Sequence, residues 1–229
     1  MRLPKITLSL LLVTLLMTEF LSAQDWANLN KYKEANTALG LEVNKGDRIV
    51  FMGNSITEGW SDHDPDFFEN TLYVNRGISG QTTPQMLLRF RQDVLDLGPE
   101  VVVILAGIND IAGNTGPSTQ KMIEDNIFSM AELAKGNGIH VILSSVLPAY
   151  DFPWAPGLEP SQKVISLNKS IKQYAESNGH IYLDYFSAMV DSKNGLKEAY
   201  TYDGVHPNAM GYQIMGPLAK SAIQKVLDQ

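Results

Sequence analysis

The feature that most constrains the fold is the alternation of short apolar runs with longer helical patterns. The third run is apolar at every position from Val101 to Ala106, which is typical of a strand covered on both faces of a sheet. The five runs are 48–52 (RIVFM), 72–75 (LYVN), 100–106 (EVVVILA), 140–146 (HVILSSV) and 180–185 (HIYLDY). Each is short enough to be a single strand.

Apolar residues between these runs recur at helical spacing, and a further helix is predicted from about Trp26 to Leu39, ending near Gly40. Strands that alternate with helices imply right-handed crossovers and a parallel sheet with helices on both faces. The sequence therefore predicts one three-layer α/β/α domain with a five-stranded parallel sheet. The helical patterns comprise Met86, Leu87, Phe90, Val94 and Leu97; Ile123, Ile127, Met130 and Ala134; Val164, Leu167, Ile171 and Tyr174; and Ile214, Met215, Leu218, Ala222 and Val226.

Residues 1–23 have the layout of a secretory signal peptide. Arg2 and Lys5 form a short basic region, residues 6–17 are mostly apolar, and a small residue at the end offers a cleavage site. An uncleaved membrane anchor is the alternative, but the apolar stretch is shorter than the roughly 20 residues that a spanning helix needs. We therefore expect the domain 24–229 to be exported to the periplasm or the extracellular space, without stable membrane insertion.

Charge and cysteine content exclude several partners and cross-links. Cleavage lowers the formal net charge from −7 to −8, and Lys and Arg are scattered along the chain. Such an acidic protein is a poor binder of phosphate backbones, so nucleic acid is not an expected partner. The chain has no Cys, which excludes disulfides and attachment through a lipidated cysteine. Packing alone must hold the domain together, and its length allows this.

Residues that could take part in catalysis follow the first three predicted strands. Ser55 lies three residues after the first strand, Gly80 five after the second, and Asn109 three after the third. Ligands of parallel α/β sheets bind beyond the carboxyl ends of the strands. We therefore expect these residues to face one edge of the sheet, although Gly80 and Asn109 are also common turn residues.

Ser55, in the segment 53–60 (GNSITEGW), has two interpretations. With Glu58 three residues later it fits a capping box, in which a Ser and a Glu satisfy free backbone N–H groups. As a nucleophile it would need a base, and Asp203 and His206 in YDGVHPN could place a carboxylate beside an imidazole within one loop. Alone, that D-x-x-H pattern is also compatible with a turn and a capping Asp.

Taken together, GNS, NRGISG, GIND and DGVHPN resemble the four ordered blocks of the SGNH hydrolases, also called GDSL-type esterases. The resemblance covers nearly all of residues 24–229. It implies a flavodoxin-like α/β fold and ester hydrolysis through a covalent acyl-enzyme, without a cofactor. The implied roles are Ser55 as nucleophile and oxyanion donor, Gly80 and Asn109 as further oxyanion donors, His206 as general base and then acid, and Asp203 as the residue that orients His206.

One position departs from the family's pattern. Asn54 stands where the family's name-giving motif has Asp, which affects hydrogen bonding in the loop more than the mechanism.

His63 lies among acidic residues in SDHDPD, but such a cluster of sequence neighbours is typical of a solvated turn. A metal site needs ligands that converge at fixed geometry, so no metal is predicted.

Aromatic residues near the expected site indicate the chemical class of the substrate. Tyr150, Phe152 and Trp154 lie in the proline-rich loop 147–160, and Trp60 comes five residues after Ser55. Proline stiffens a loop, and aromatic rings offer flat faces for a sugar ring or an acyl chain. The alternative is that these residues form a hydrophobic plug beneath the loop.

Export, acidity and these aromatic residues favour a small-molecule or glycan ester as substrate, with short acyl groups such as acetate on carbohydrate. A lysophospholipase or thioesterase acting on longer acyl chains would use the same four blocks. A non-catalytic, exported glycan-binding module is the alternative of another class. The sequence does not indicate which oligomeric state the protein has.

Overall fold

The structure is a computed structural model that describes residues 25–40, 48–70 and 72–228. The predicted signal peptide, residues 1–23, lies outside the described residues. Within the described ranges, none of the helices combines the length and the apolar character that crossing a membrane requires.

The described residues form a five-stranded parallel sheet in the order β2-β1-β3-β4-β5, as the alternating pattern predicts. This is the flavodoxin-like order, in which the strand order reverses between β1 and β3. The register pairs Gly53 with both Gly77 and Leu105, so the carboxyl ends of the first three strands are level. The strands are β1 Ile49–Gly53, β2 Tyr73–Gly77, β3 Val101–Leu105, β4 His140–Ser144 and β5 Ile181–Leu183.

Helices cover both faces of this sheet. The helix Gln120–Gly136 contacts the helices Thr83–Asp93 and Ser161–Asn178 in one layer, and the helix Ala209–Leu227 contacts the helices Trp60–His63 and Tyr185–Met189 in the other. Every residue of β1 and β3 is buried as a result, which explains why their sequences are apolar without alternation. The helices are α1 Lys33–Gly40, α2 Ser55–Glu58, α3 Trp60–His63, α4 Pro65–Phe68, α5 Thr83–Asp93, α6 Ile108–Ile111, α7 Gln120–Gly136, α8 Ser161–Asn178, α9 Tyr185–Met189 and α10 Ala209–Leu227, with 3-10 turns at Leu95–Leu97 and Glu198–Tyr200.

The N-terminal helix in the structure is shorter than the predicted range, Trp26 to Leu39. Its end at Gly40 is correct, but the helix starts only at Lys33. Before it, the carboxylate of Asp25 accepts hydrogen bonds from backbone N–H groups four and five residues later, and Asn28 has a left-handed backbone with φ of 54°. Such local bonds compete with the helical ladder. Residues 25–32 instead form turns that reach the carboxyl end of the sheet.

Candidate active site

Ser55 lies directly beyond β1 as the first residue of α2. The capping-box interpretation is wrong, because Asn54 occupies the N-cap and its Oδ1 accepts a hydrogen bond from the N–H of Ile56 at 3.1 Å. The Nδ2 of Asn54 is buried and has no hydrogen-bond partner in the described part of the chain. The hydroxyl of Ser55 is left for another contact: its Oγ lies 2.9 Å from Nε2 of His206.

The loop before α10 holds His206 through a local network. Asp203 accepts hydrogen bonds from the backbone N–H groups of Val205 and His206 at 2.9 and 2.7 Å, and its Oδ2 lies 2.7 Å from Nδ1 of His206. The hydroxyl of Thr201 accepts from the N–H of Gly204 and donates to the carbonyl of His206. Gly204 has φ of 88°, a conformation in which a side chain is strained. The loop therefore holds the carboxylate of Asp203 against one side of the His206 imidazole, whose other nitrogen faces the hydroxyl of Ser55.

Asp203 is held in its charged form. Burial by itself would raise its pKa, but hydrogen bonds from the backbone and ring of His206 and from the backbone of Val205 outweigh burial and lower the pKa. An ionised carboxylate at Nδ1 keeps the proton of a neutral His206 on that nitrogen. Nε2 is then free to accept a proton from Ser55.

Gly80 and Asn109 face the same opening. Gly80 has φ of 76°, and a Cβ placed on it would meet nothing within 4 Å, so its backbone borders open space. Among the described residues, none accepts a hydrogen bond from its N–H. Asn109 is buried and donates one Nδ2 hydrogen to the carbonyl of Gln81 at 3.0 Å, which leaves its second hydrogen unused. The two residues thus offer donors that the fold does not consume.

An open cavity of about 810 Å³ joins Ser55, His206, Gly80 and Asn109 at the carboxyl end of the sheet. Ile78 is the single aliphatic side chain among its described lining residues. Apart from Gly59, the remaining walls are polar, charged or aromatic: Asn28, Lys31, Glu58, Asp62, His63, Ser79, Asn114, Trp154, Tyr202 and Tyr212.

The sequence profile of the GDSL-like lipase/acylhydrolase family matches residues 51–214. The chain belongs to this family. It is similar to a solved GDSL-like lipase from Bacteroides thetaiotaomicron, with 51% identity and a TM-score of 0.84 over 87% of this chain and 98% of that one. This family member is therefore a carboxylic ester hydrolase with the fold of the SGNH hydrolases.

Two curated relatives are more distant. An acetylxylan esterase from Geobacillus stearothermophilus is 23% identical over 213 residues, which cover 76% of this chain and 93% of that protein. A lipoprotein of Bacillus subtilis named as uncharacterised is 39% identical over 83 residues, and the match spans 34% of each chain.

The aromatic loop of this acylhydrolase is only partly directed at the cavity. Trp154 lines the cavity, and its ring centroid lies 5.8 Å from that of His206. Phe152 is 1% exposed and packs beneath Trp154 at 5.2 Å, so its prediction as a substrate contact is wrong and the plug interpretation holds for it. Tyr150 is exposed, but it lies outside the described lining of the cavity.

Trp60 was also predicted to contact substrate, and this prediction is wrong. Its side chain is 2% exposed and stacks on Phe67 at 4.4 Å, with Phe51 at 5.8 Å in an edge-on arrangement. A short helix between α2 and α4 turns Trp60 toward the sheet, where it joins an aromatic cluster. Burial of this large ring in the core outweighs its closeness in sequence to Ser55.

Tyr202 is a cavity residue that the sequence analysis did not single out. Its ring stacks on that of His206 at 5.7 Å and 10°, and also on that of His63 at 6.0 Å and 17°. Its position directly before Asp203 was the available signal. His63 is therefore part of the cavity wall, and the described residues contain no group of three or more side chains placed to hold a metal ion.

Arg89 forms a buried support beneath the site. Its guanidinium is 0% exposed and donates to the carbonyls of Gly53 and Arg76 at 3.0 and 2.9 Å, to Oε1 of Gln81 at 2.5 Å, and to Asp93 at 2.9 Å. One cation thereby joins the ends of β1 and β2 to the turn that carries Gly80. A buried guanidinium of this kind must have all these partners, because an unpaired buried charge is costly.

Asp110, beside Asn109, joins α6 to the start of α5. It is 2% exposed, and it accepts hydrogen bonds from the N–H of Thr83 at 3.0 Å and from the Thr83 hydroxyl at 2.6 Å. Burial is the largest influence on this carboxyl group and raises its pKa from 3.8 to about 6.

The raised pKa of Asp110 predicts a pH-dependent stability. The folded state favours the protonated carboxyl, so its contribution is complete below about pH 4 and is lost as the pH rises through about 6. The Asp110→Asn variant cannot ionise. Between pH 4 and 7 its free energy of unfolding should therefore rise relative to wild type, by on the order of 3 kcal/mol. Urea titrations of both proteins at several pH values measure this difference, and a constant difference across the range would contradict the prediction.

Proposed function

We propose that the chain is an exported serine esterase that removes short acyl groups, such as acetate, from carbohydrates. The observation that carries the proposal is the chain of contacts from Asp203 through His206 to the Oγ of Ser55, open to a cavity with unused donors at Gly80 and Asn109. Such a set matches the geometry that nucleophilic acyl transfer needs.

In the first half of the reaction, Oγ of Ser55 attacks the ester carbonyl carbon while Nε2 of His206 takes the hydroxyl proton. The carbonyl π pair moves to oxygen, and the resulting oxyanion is bound by the N–H groups of Ser55 and Gly80 and by Nδ2 of Asn109. When the pair returns, the bond to the alcohol oxygen breaks. His206 gives its proton to that oxygen, and the alcohol leaves an acyl-Ser55.

In the second half, water attacks the acyl carbon and passes a proton to His206. The tetrahedral intermediate collapses with cleavage of the bond to Ser55, whose oxygen regains the proton. A carboxylic acid is released and the free enzyme is restored. Asp203, kept ionised by its hydrogen bonds, stabilises the positive ring of His206 in both halves.

The residues around His206 suggest the nature of the alcohol. Because His206 must protonate the leaving oxygen, the alcohol part of the substrate lies beside it. Trp154 and Tyr202 flank this position with rings that are 45% and 63% exposed. Flat, exposed aromatic faces suit the apolar face of a sugar ring. The similarity to an acetylxylan esterase agrees with this substrate class.

The lining of the cavity supports a short acyl group. A chain of about ten carbons needs a continuous apolar wall, since each buried CH₂ contributes about 0.8 kcal/mol. Ile78 is the single aliphatic side chain that the described lining offers, and Glu58 and Asp62 carry negative charge nearby. Acetate and similar groups need no such wall.

Export is supported by two observations. Residues 1–23 have the composition of a signal peptide, and the relative from Bacillus subtilis is named a lipoprotein. A secreted or periplasmic location would place the enzyme where acetylated polysaccharide is accessible.

The acyl preference is tested with p-nitrophenyl esters from acetate to decanoate, using residues 24–229 and its Ser55→Ala variant. Rates should be highest for acetate and butyrate, and the variant should lose turnover while keeping its circular dichroism spectrum. Rates that increase toward decanoate would instead favour a lipid substrate. A rate independent of Ser55 at every length would contradict the esterase assignment of this serine.

Replacing Asn109 tests the oxyanion site. Asn109→Ala removes one donor and should lower kcat by about 10²- to 10³-fold, as expected for the loss of one oxyanion donor. KM should change little, because the contact strengthens only in the transition state. An unchanged kcat would show that the oxyanion is bound elsewhere.

The sugar-binding role of Trp154 is tested with two acetate esters that differ in the alcohol. Trp154→Ala should lower kcat/KM for acetylated xylose by about five- to tenfold, corresponding to the loss of one stacking contact. Hydrolysis of ethyl acetate should change less than twofold. Trp26, also 45% exposed but outside the described cavity lining, provides the matched control, and Trp26→Ala should affect neither ester. Equal losses on both esters would contradict sugar stacking.

A further inference from the structure

Glu58, the partner of Ser55 in the failed capping-box interpretation, has a different set of contacts. It is the last residue of α2, and its Oε2 accepts hydrogen bonds from the backbone N–H of Ser79 at 2.6 Å and from the Ser79 hydroxyl. Its Oε1 accepts from Nζ of Lys31, in the N-terminal segment. Glu58 thus connects the helix that carries Ser55 to the residue directly before Gly80.

We propose that Glu58 is a positioning residue that sets the direction of the Gly80 N–H toward the oxyanion. This inference rests on the proposed function. Glu58 needs no contact with the reacting atoms, because it acts through the turn formed by residues 78–80. Its bond to the Ser79 N–H holds the Ile78–Ser79 peptide group, and its bond to the Ser79 hydroxyl holds the side chain, so the residue that precedes the Gly80 nitrogen is restrained at two atoms.

The other restraints on this turn act on residues beside Ser79, and one of them is the hydrogen bond from Nδ2 of Asn114 to the carbonyl of Gly80 at 3.3 Å. On the side of β1, the N–H of Ile78 donates to the carbonyl of Gly53 at 3.1 Å, and the N–H of Gln81 closes the turn on the carbonyl of Ile78 at 3.3 Å. Gly80 itself, without a Cβ, has wide conformational freedom. An anchor on Ser79 is therefore needed for a donor that must lie about 3 Å from a developing charge.

Charge and packing agree with this role. Burial opposes ionisation of Glu58, but the hydrogen bonds from Lys31 and Ser79 outweigh it and lower the pKa, so the side chain accepts bonds as a carboxylate near neutral pH. Gly77 brings the two segments close: a Cβ there would lie 2.1 Å from the backbone nitrogen of Glu58. The Lys31–Glu58 pair is about 30% exposed, and partly exposed pairs add little stability. Loss of Glu58 should therefore affect catalysis more than folding.

The test compares Glu58→Ala with Glu58→Gln on p-nitrophenyl acetate. The Ala variant should lower kcat about ten- to thirtyfold with KM within twofold, because a misdirected donor weakens only transition-state binding. The Gln variant should stay within threefold of wild type, since its amide oxygen still accepts from Ser79. Asp125, in the exposed Lys121–Asp125 pair, is the matched carboxylate control, and Asp125→Ala should change neither parameter.

A second readout separates positioning from general loosening. Butylboronic acid forms a charged tetrahedral adduct with an active serine, so its inhibition constant reports oxyanion binding. For Glu58→Ala this constant should rise by the same factor as kcat falls.

Several outcomes would overturn the proposal. These are an unchanged kcat in Glu58→Ala, a Gln variant as slow as the Ala variant, or an unchanged boronate constant in Glu58→Ala. Should Glu58→Ala fail to fold, Glu58→Gln and Ser79→Ala decide the matter, because the latter removes the hydroxyl donor alone and should lower kcat by a few fold. Turnover that persists in Ser55→Ala would refute the proposed function itself, independently of Glu58.

Discussion

The site depends on the level carboxyl ends of β1, β2 and β3. Because Gly53 is paired with Gly77 on one side and Leu105 on the other, the three turns that follow start from one line at the edge of the sheet. The strand order reverses between β1 and β3, which leaves a crevice there. Ser55, Gly80 and Asn109 border this crevice without any long excursion of the backbone.

A buried cation keeps those turns together. Arg89 binds the carbonyls at the ends of β1 and β2 and the side chain of Gln81, while Gln81 in turn accepts from Asn109 through its carbonyl. The N-terminal segment adds a second support, since the side chain of Gln81 donates to the carbonyl of Ala27 at 2.7 Å. Donors of an oxyanion site must be fixed before the reaction, and this polar network under the turns provides that rigidity.

The wrongly predicted contacts have one physical cause. Partners nearby in sequence and partners distant in sequence compete for the same side chain. Ser55 and Glu58 have the spacing of a capping box, but Asn54 takes the N-cap and Glu58 binds Ser79 across the site. Trp60 is close to Ser55 in sequence, yet its ring packs in the aromatic core. A pattern of sequence neighbours cannot show which of these partners a side chain contacts.

The sequence by itself determined the strands, the long helices and the parallel α/β architecture, because these follow from the periodicity of apolar residues. It also made the contact of Asp203 with His206 an expected one, since three residues and a glycine turn suffice to join them, although the same pattern fits a plain turn. The tertiary structure alone decided what lies around the imidazole. Ser55 and His206 are 151 residues apart, and their contact exists only because β1 and the loop before α10 meet at the same edge of the sheet. The tilted contact between the rings of Trp154 and His206 likewise joins segments that are distant in sequence.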